Sequence, residues 1–234
     1  MTKLTFSLIG KCILLSALSC VLQSCSAQYS AESITGWVVD ADTGRPLEGV
    51  NVTANWRVEE GNLAGTNGGG DIQIMETVTD QTGRYQFPAW GPKRLPPKKN
   101  GWWVDQYIGN GDPELVFFKR AYRLESRSNV LVMEHNRSLL RRSDWNGKTI
   151  KLKSLGASAE ENIDNLWRAA GALSFALHAD RCEWQKIPRM LAAQLKENEK
   201  FTKPNNFIVM LTIYSIPTDL QCASPQEFLK EYLK

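Results

Sequence analysis

The chain has 234 residues, 42% of them hydrophobic and 23% charged, a composition that excludes both a disordered chain and a polytopic membrane protein. Lys and Arg total 28 against 25 Asp and Glu, and two of the lysines, Lys3 and Lys11, fall in an N-terminal leader. The near-neutral remainder supplies no field for nucleic acid or for an anionic membrane surface, so neither is expected as a partner.

The leader comes first in the chain. Met1 to Lys11 is a positive stretch, Cys12 to Leu22 an uncharged apolar core, and the small residues Ser24-Cys25-Ser26-Ala27 precede polar Gln28. That order predicts a secretory signal over 1–27, too short to span a bilayer as a permanent helix. Two cleavage readings compete. Leu22-Gln23-Ser24-Cys25 resembles a bacterial lipobox, in which the Cys25 thiol is acylated and becomes the new N-terminus. The rival is cleavage after Ala27, which leaves a soluble periplasmic protein. The lipobox is favoured, and it implies an outer-membrane lipoprotein that touches the membrane only through its acyl chains, each buried CH₂ contributing ~0.8 kcal/mol. Beyond the leader the cysteines are Cys182 and Cys222, an even pair in an oxidising compartment, and a disulfide between them is expected.

Residues 28–33 read as a polar tether. Ile34 to Val39 is a β-rich run ending in the turn residues Asp40, Asp42 and Gly44. Val50, Val52, Ala54 and Trp56 alternate with Asn51, Thr53 and Asn55, which predicts a half-buried strand with the polar set facing out. The Gly-rich stretch 57–72 predicts a long loop. Thr77-Val78-Thr79 and Tyr85-Gln86-Phe87 flank Asp80-Gln81-Thr82-Gly83, which predicts a hairpin. The run Ile34-Thr35-Gly36-x-Val38-x-Asp40-x-x-Thr43-Gly44-x-Pro46-Leu47-x-Gly49-Val50-x-Val52 resembles the opening of carboxypeptidase regulatory-like domains. Thr79-Asp80-x-x-Gly83-x-Tyr85-x-Phe87 resembles their second signature, and Ala121-Tyr122 their Gly-Tyr pair with alanine in the glycine position. The resemblance implies a transthyretin-like antiparallel β-sandwich, placed over 34–153 and closed by the alternating run Lys148 to Lys153. Two stretches, 88–113 and 126–147, predict no regular structure.

From Ser158 the period changes to 3.6. Ile163, Leu166, Trp167, Ala170, Leu173 and Leu177 form the apolar stripe of a helix that opens on a Ser158/Glu161 capping box. A second helix starts at Pro188 with Met190, Leu191 and Leu195 inward. Phe207 to Ile216 reads as a buried helix, with a strand as the alternative. Ser224-Pro225-x-Glu227 is a further capping box opening a terminal helix. The expected fold class is therefore α+β, a sandwich followed by a helical region over 154–234.

No catalytic constellation can be written. The histidines are His135 and His178, and His-Glu-x-x-His, Cys-x-x-Cys, Gly-x-Ser-x-Gly and a phosphate-binding loop are all missing, so no metal site and no cofactor is expected. His178 is read as a cap for the end of its helix, and Asp40, Asp42 and Asp80 as turn caps. The resemblance does not imply peptidase activity, because zinc carboxypeptidases keep catalysis in a separate, larger domain. What stands out is aromatic: Trp90, Trp102, Trp103 and Tyr107 sit in the Pro-rich stretch 88–113. Such rings either roof the core or stack on a ligand. The chain is thus expected to be a non-enzymatic envelope protein with the sandwich as a protein-interaction module. The alternative is a carbohydrate- or peptidoglycan-binding protein using the Trp-rich stretch.

Overall fold

A computed structural model describes residues 27–62, 65–98, 104–130, 138–156, 158–177, 182–201, 216 and 222–234. Cys25, Trp102, Trp103, His135, His178 and residues 207–215 of the apolar run lie outside the described residues. The fold is mixed α+β, with largely antiparallel sheets followed by helices at the C-terminal end.

Strands β1 (Gln28–Ala31), β2 (Ile34–Asp40), β3 (Asn51–Asn62), β4 (Gly65–Val78), β5 (Arg84–Phe87) and β6 (Trp90–Arg94) come first. They are followed by β7 (Asp105–Ile108), β8 (Glu114–Phe118), β9 (Glu125–Arg127), β10 (Leu140–Arg141) and β11 (Thr149–Leu152). One sheet runs β11-β2-β5 and another β4-β3-β8-β9, with β7 paired to the distal half of β3; a small third sheet runs β10-β1-β6. Two pairings, β11 with β2 and β10 with β1, are parallel, so the assembly is not purely antiparallel. The first two sheets share one apolar core: Ile34, Val38, Tyr85, Phe87, Ile150 and Leu152 from one, Val52, Ala54, Trp56, Leu115 and Phe117 from the other.

Several signature residues have local roles that account for their identity. Gly36 sits under the buried Tyr85, where a Cβ would lie 2.5 Å from the phenolic oxygen. Thr79 Oγ1 donates to the Leu47 carbonyl at 2.6 Å and accepts from the Val50 amide at 2.8 Å, tying two segments together inside the core. Asp80 Oδ1 accepts from the amides of Thr82 and Arg84 and from the Thr82 hydroxyl. Gly83 closes that turn at φ +72°, with the Val38 carbonyl 2.4 Å from where a Cβ would stand. Asp40 repeats the device with the amides of Asp42 and Thr43 and the Thr43 hydroxyl. These hydrogen bonds favour the ionised carboxyls and hold both below the usual carboxylate range, the Thr43 amide leading at Asp40 and the Thr82 hydroxyl at Asp80.

Four expectations are corrected. Residues 28–33 are not a tether, because β1 buries Tyr29 and Ala31 in the shared core. The stretch 57–72 is not a loop: β3 and β4 stay paired to Asn62↔Gly65, since β7 supports β3 from its other side. Register shifts at Trp56/Arg57 and Val58/Glu59 absorb two extra residues of β4, and at Gly69 a Cβ would press 2.9 Å from Glu60 Cγ. The Asp80 turn is not a hairpin, because β4 pairs with β3 and β5 with β2, so it carries the chain from one sheet to the other. Regular structure also enters 88–113 as β6 and β7, and 126–147 as most of β9 and as β10.

Three α-helices follow among the described residues: α1 (Ala159–Ala172), α2 (Pro188–Phe201) and α3 (Pro225–Leu229). They cover the outer face of β3 and β8, where Ile74, Val116 and Phe118 pack with Leu166, Leu173, Trp184, Met190, Leu191 and Leu229. Thr53 and Asn55 are therefore buried, at 0% and 1% exposure, and do not face solvent. The stripe of α1 is rotated from the one expected: Trp167 is 44% exposed, while Asn165 and Ala169 point inward. Asn165 is accommodated because it accepts from the Leu124 amide and donates to the Tyr122 carbonyl. Ser158 Oγ accepts from the Glu161 amide at 3.5 Å, but the Glu161 carboxylate turns to the Gly156 amide, so the box is half-formed. At α3, Ser224 makes no side-chain capping bond, its hydroxyl being engaged with Gln226.

Cys182 and Cys222 are joined, with Cα atoms 5.7 Å apart at a sequence separation of 40. The bridge fixes the short 3₁₀ turn Glu183–Lys186 to the approach of α3. Cys182→Ser should lower stability by about 2–4 kcal/mol, a range typical of native bridges of this loop size. Limited proteolysis should then cut first after residue 154, leaving the sheets protected; first cuts within β2 or β3 would contradict the assignment.

Ala121 stands at φ +64°, the left-handed region that disfavours a Cβ. Its neighbour Tyr122 donates from its hydroxyl to Asp40 Oδ2 at 3.0 Å, which pins the strained residue in place. Ala121→Gly should raise stability by about 1 kcal/mol, measured as a higher urea midpoint; an unchanged or lower midpoint would show that the strain is offset elsewhere.

Candidate functional site

A cavity of about 340 Å³ opens at the end of the sheets where β7, β8, β9 and β10 converge. It is lined by Asn110, Asn129, Val130, Ser138, Leu140 and the run Arg141–Asp144. The wall is built around Asn129. Its amide donates to Gly111, its side-chain Nδ2 donates to the carbonyls of Asp112 and Arg142, and its Oδ1 accepts from the Asp144 amide. Asp144 returns the link by accepting from the Val130 amide at 2.8 Å. Three separate segments are thereby locked together through one side chain.

Behind that wall lies a charged cluster in which Asp112 and Arg141 are buried while the Arg57 side chain is 46% exposed. Strand β3 is paired to β8 as far as Asn55 and to β7 from Val58, so Arg57 falls between its two partners. The Asp112 carboxylate fills the gap, accepting from the Arg57 amide at 2.8 Å and from its Nε at 3.3 Å. Arg57 also pairs with Glu114 at 3.5 Å. Arg141, 4% exposed, donates to the Gly109 carbonyl at 2.7 Å. Burial outweighs the neighbouring guanidinium and pushes the Asp112 carboxyl up to about 7. A perturbed carboxyl beside a cavity marks a functional candidate, although ion-pair networks serving structure produce the same shift.

Among the residues expected to bind a ligand, Trp90 is not free to stack on one. It is 8% exposed, its ring meets Trp56 edge-on with centroids 5.4 Å apart, and it belongs to the shared core. The pairing of Ala31 with Trp90 draws it inward. Tyr107 is half-buried on β7 opposite Glu59 and does not line the cavity. Trp102 and Trp103 lie outside the described residues, as does the lipidation candidate Cys25. The cavity wall itself had no local signature, because Asn110, Asn129 and Arg141 come from stretches of irregular period.

Among the described residues, no cluster of three or more His, Cys, Asp or Glu side chains could hold a metal ion. No described helix is long and apolar enough to cross a membrane. No protein-family model matches the sequence, and no curated protein matches it. Among solved structures, a 3-chlorocatechol 1,2-dioxygenase from Rhodococcus opacus 1CP aligns at 13% identity and TM-score 0.31, over 57% of this chain and 63% of that one. A 9R-lipoxygenase from Cyanothece PCC8801 aligns at 14% identity and TM-score 0.23, over 78% of this chain and 28% of that one. The chain thus spans less than two thirds of either protein, and likenesses this weak carry no argument about fold or activity.

The Asp112 assignment has a pH signature. Its folded value of about 7 exceeds the ordinary carboxylate value of 3.8, so between those limits the folded state holds more proton than the unfolded state. Stability contributed at Asp112 must therefore fall as pH rises from about 4 to about 7. The difference in melting temperature between the wild type and Asp112→Asn should shrink or reverse across that window. A difference that is flat with pH would place Asp112 at an ordinary value.

Proposed function

We propose that this chain is an exported, non-enzymatic cell-envelope protein, anchored through an acylated Cys25, that binds another envelope protein through a transthyretin-like sandwich of the carboxypeptidase regulatory-like kind. Support for the sandwich comes from the signature residues Gly36, Thr79, Asp80, Gly83 and Tyr85 occupying the turns and the core contact described above.

The observation that carries the binding role is the rim of the cavity. Val130 and Leu140 line it at 70% and 42% exposure, and Leu139, next in sequence, is 47% exposed. Three aliphatic side chains presented to solvent beside a wall braced by hydrogen bonds form an apolar centre with a polar rim, the anatomy of a protein-binding patch. Rigid support lowers the ordering cost that a partner would otherwise impose.

A photo-crosslinking residue placed at Leu139 in cells should yield a discrete heteromeric adduct. The same residue at exposed Lys230, on the helical side, should not. Val130→Asp should remove the adduct, because a carboxylate at the patch centre must be desolvated on docking. Equal crosslinking from both positions, or none from Leu139, would defeat the proposal.

A further inference from the structure

The sheet β11-β2-β5 has a second face, turned away from the core. Along β2 the burial alternates, with Ile34, Gly36 and Val38 inward and Trp37 outward at 37% exposure. Arg84 and Gln86 point outward from β5, Thr149 and Lys151 from β11. Trp37 is paired laterally with Arg84 on one side and Thr149 on the other, and Lys151 is paired with Val39, one outward position further along. Arg84 Nη2 donates to Gln86 Oε1 at 3.1 Å, so the guanidinium is held along the face. None of these outward positions carries a carboxylate. Asp80, the acid nearest Arg84 in sequence, spends its Oδ1 on the Thr82 and Arg84 amides and the Thr82 hydroxyl, and the Arg84 charge is the last of the influences that lower its carboxyl.

A lone exposed tryptophan needs no explanation by itself. Its setting is what matters here: a broad ring on a rigid sheet, between two cations, with amide and hydroxyl groups one strand spacing away. Neither the core nor the helices draw on it. We propose that this face binds an acidic polysaccharide, with the C–H face of a pyranose ring stacked on Trp37 and uronate carboxylates met by Arg84 and Lys151. Ring stacking supplies the contact area, and the two cations select for negative charge, Arg84 through its planar fork. A neutral glycan would leave both cations unused, and an acidic peptide lacks the flat apolar face that the indole accepts. This site is independent of the cavity rim and uses none of its residues.

The test is native gel retardation of the purified chain in gels containing a polyuronate, dextran or poly-glutamate. The polyuronate should retard the wild type, and dextran and poly-glutamate should leave its mobility nearly unchanged. Trp37→Ala should raise the half-saturating polyuronate concentration about tenfold or more, as loss of one stacked ring does. Trp37→Tyr should retain most of the retardation, which separates loss of the ring from loss of fold. Lys151→Glu should weaken binding at least as much and leave what remains less sensitive to salt, since screening acts on the charge contacts. Trp167→Ala, at the exposed tryptophan of α1, should change nothing. Absence of polyuronate retardation, equal retardation by dextran or by poly-glutamate, or an unaffected Trp37→Ala would each overturn the proposal.

Discussion

Thr53 and Asn55 lie on the opposite face of β3 from Val52, Ala54 and Trp56, yet both are as deeply buried as the apolar set. Strand β3 is also paired along both edges, to β4 on one side and to β8 and then β7 on the other. Its stretch 52–56 is therefore enclosed in all lateral directions, and the rest of the chain is arranged to make that possible. The β2 sheet covers one face and the helices cover the other. Strand β8 shows the same demand in its sequence, since Leu115-Val116-Phe117-Phe118 is apolar without alternation and is buried on both faces. The helices are consequently not an appendage. Without them Ile74, Val116 and Phe118 would be an exposed apolar strip on the sheet.

The docking of α2 is directed by a single carboxylate. Glu76, on β4, accepts from the amides of Arg189 and Met190 at 3.1 and 2.6 Å. These are among the orphan donors at the start of α2, and Pro188 at its first position has no N–H to satisfy. A side chain from the sheet thus does the work that a local cap would do. Burial pushes the Glu76 carboxyl above its ordinary range, against the pull of those two amides and of Arg189. The helix N-terminus favours the negative charge, which is why a carboxylate and not an amide suits the position. On the opposite side of the sheet's edge, Asn165 does the equivalent for the Tyr122–Leu124 segment. Two polar side chains fix where α1 and α2 sit, and the Cys182–Cys222 bridge fixes how the segments after them return.

How much of this could be read from residues alone depended on the range of the interaction. A β-rich run marks the strand near 34–39 and period-2 alternation those near 50–56 and 148–153, and the aspartate turns at Asp40 and Asp80 follow from hydrogen bonds within four residues. Alternation says which residues share a face but not whether the second face meets water, so the burial of Thr53 and Asn55 is not contained in it. The same limit misplaced Trp167, since a helical stripe defined by hydrophobicity cannot anticipate that Asn165 will be satisfied by the backbone of a distant segment. The Gly-rich stretch failed for another reason: glycines that suit a loop also permit the bulges and close approach that keep β3 and β4 paired. Trp90 is legible as a ring that either roofs the core or stacks on a ligand, and the partner that decides for the core, Trp56, is remote in sequence. The cavity was least legible of all, its wall being drawn from irregular segments that only the Asn129 hydrogen bonds unite.

The charges behind the cavity follow from strand geometry before they follow from any ligand. A strand that exchanges one partner for another leaves a residue whose amide faces neither, and at Arg57 that amide must be satisfied or cost about 1–3 kcal/mol. Asp112 answers that need at the expense of burying its own charge, and Arg57 returns part of the expense by pairing with Asp112 and Glu114. Removing any one of these side chains would leave another polar group unpartnered, so the cluster holds the turn after β7 and the start of β8 in a single arrangement. Asn129 then attaches β9 and the run before β11 to that fixed turn. The cavity is shaped by groups whose first obligation is to the backbone, which makes its walls rigid and leaves the exposed aliphatic rim as the part open to change without loss of fold.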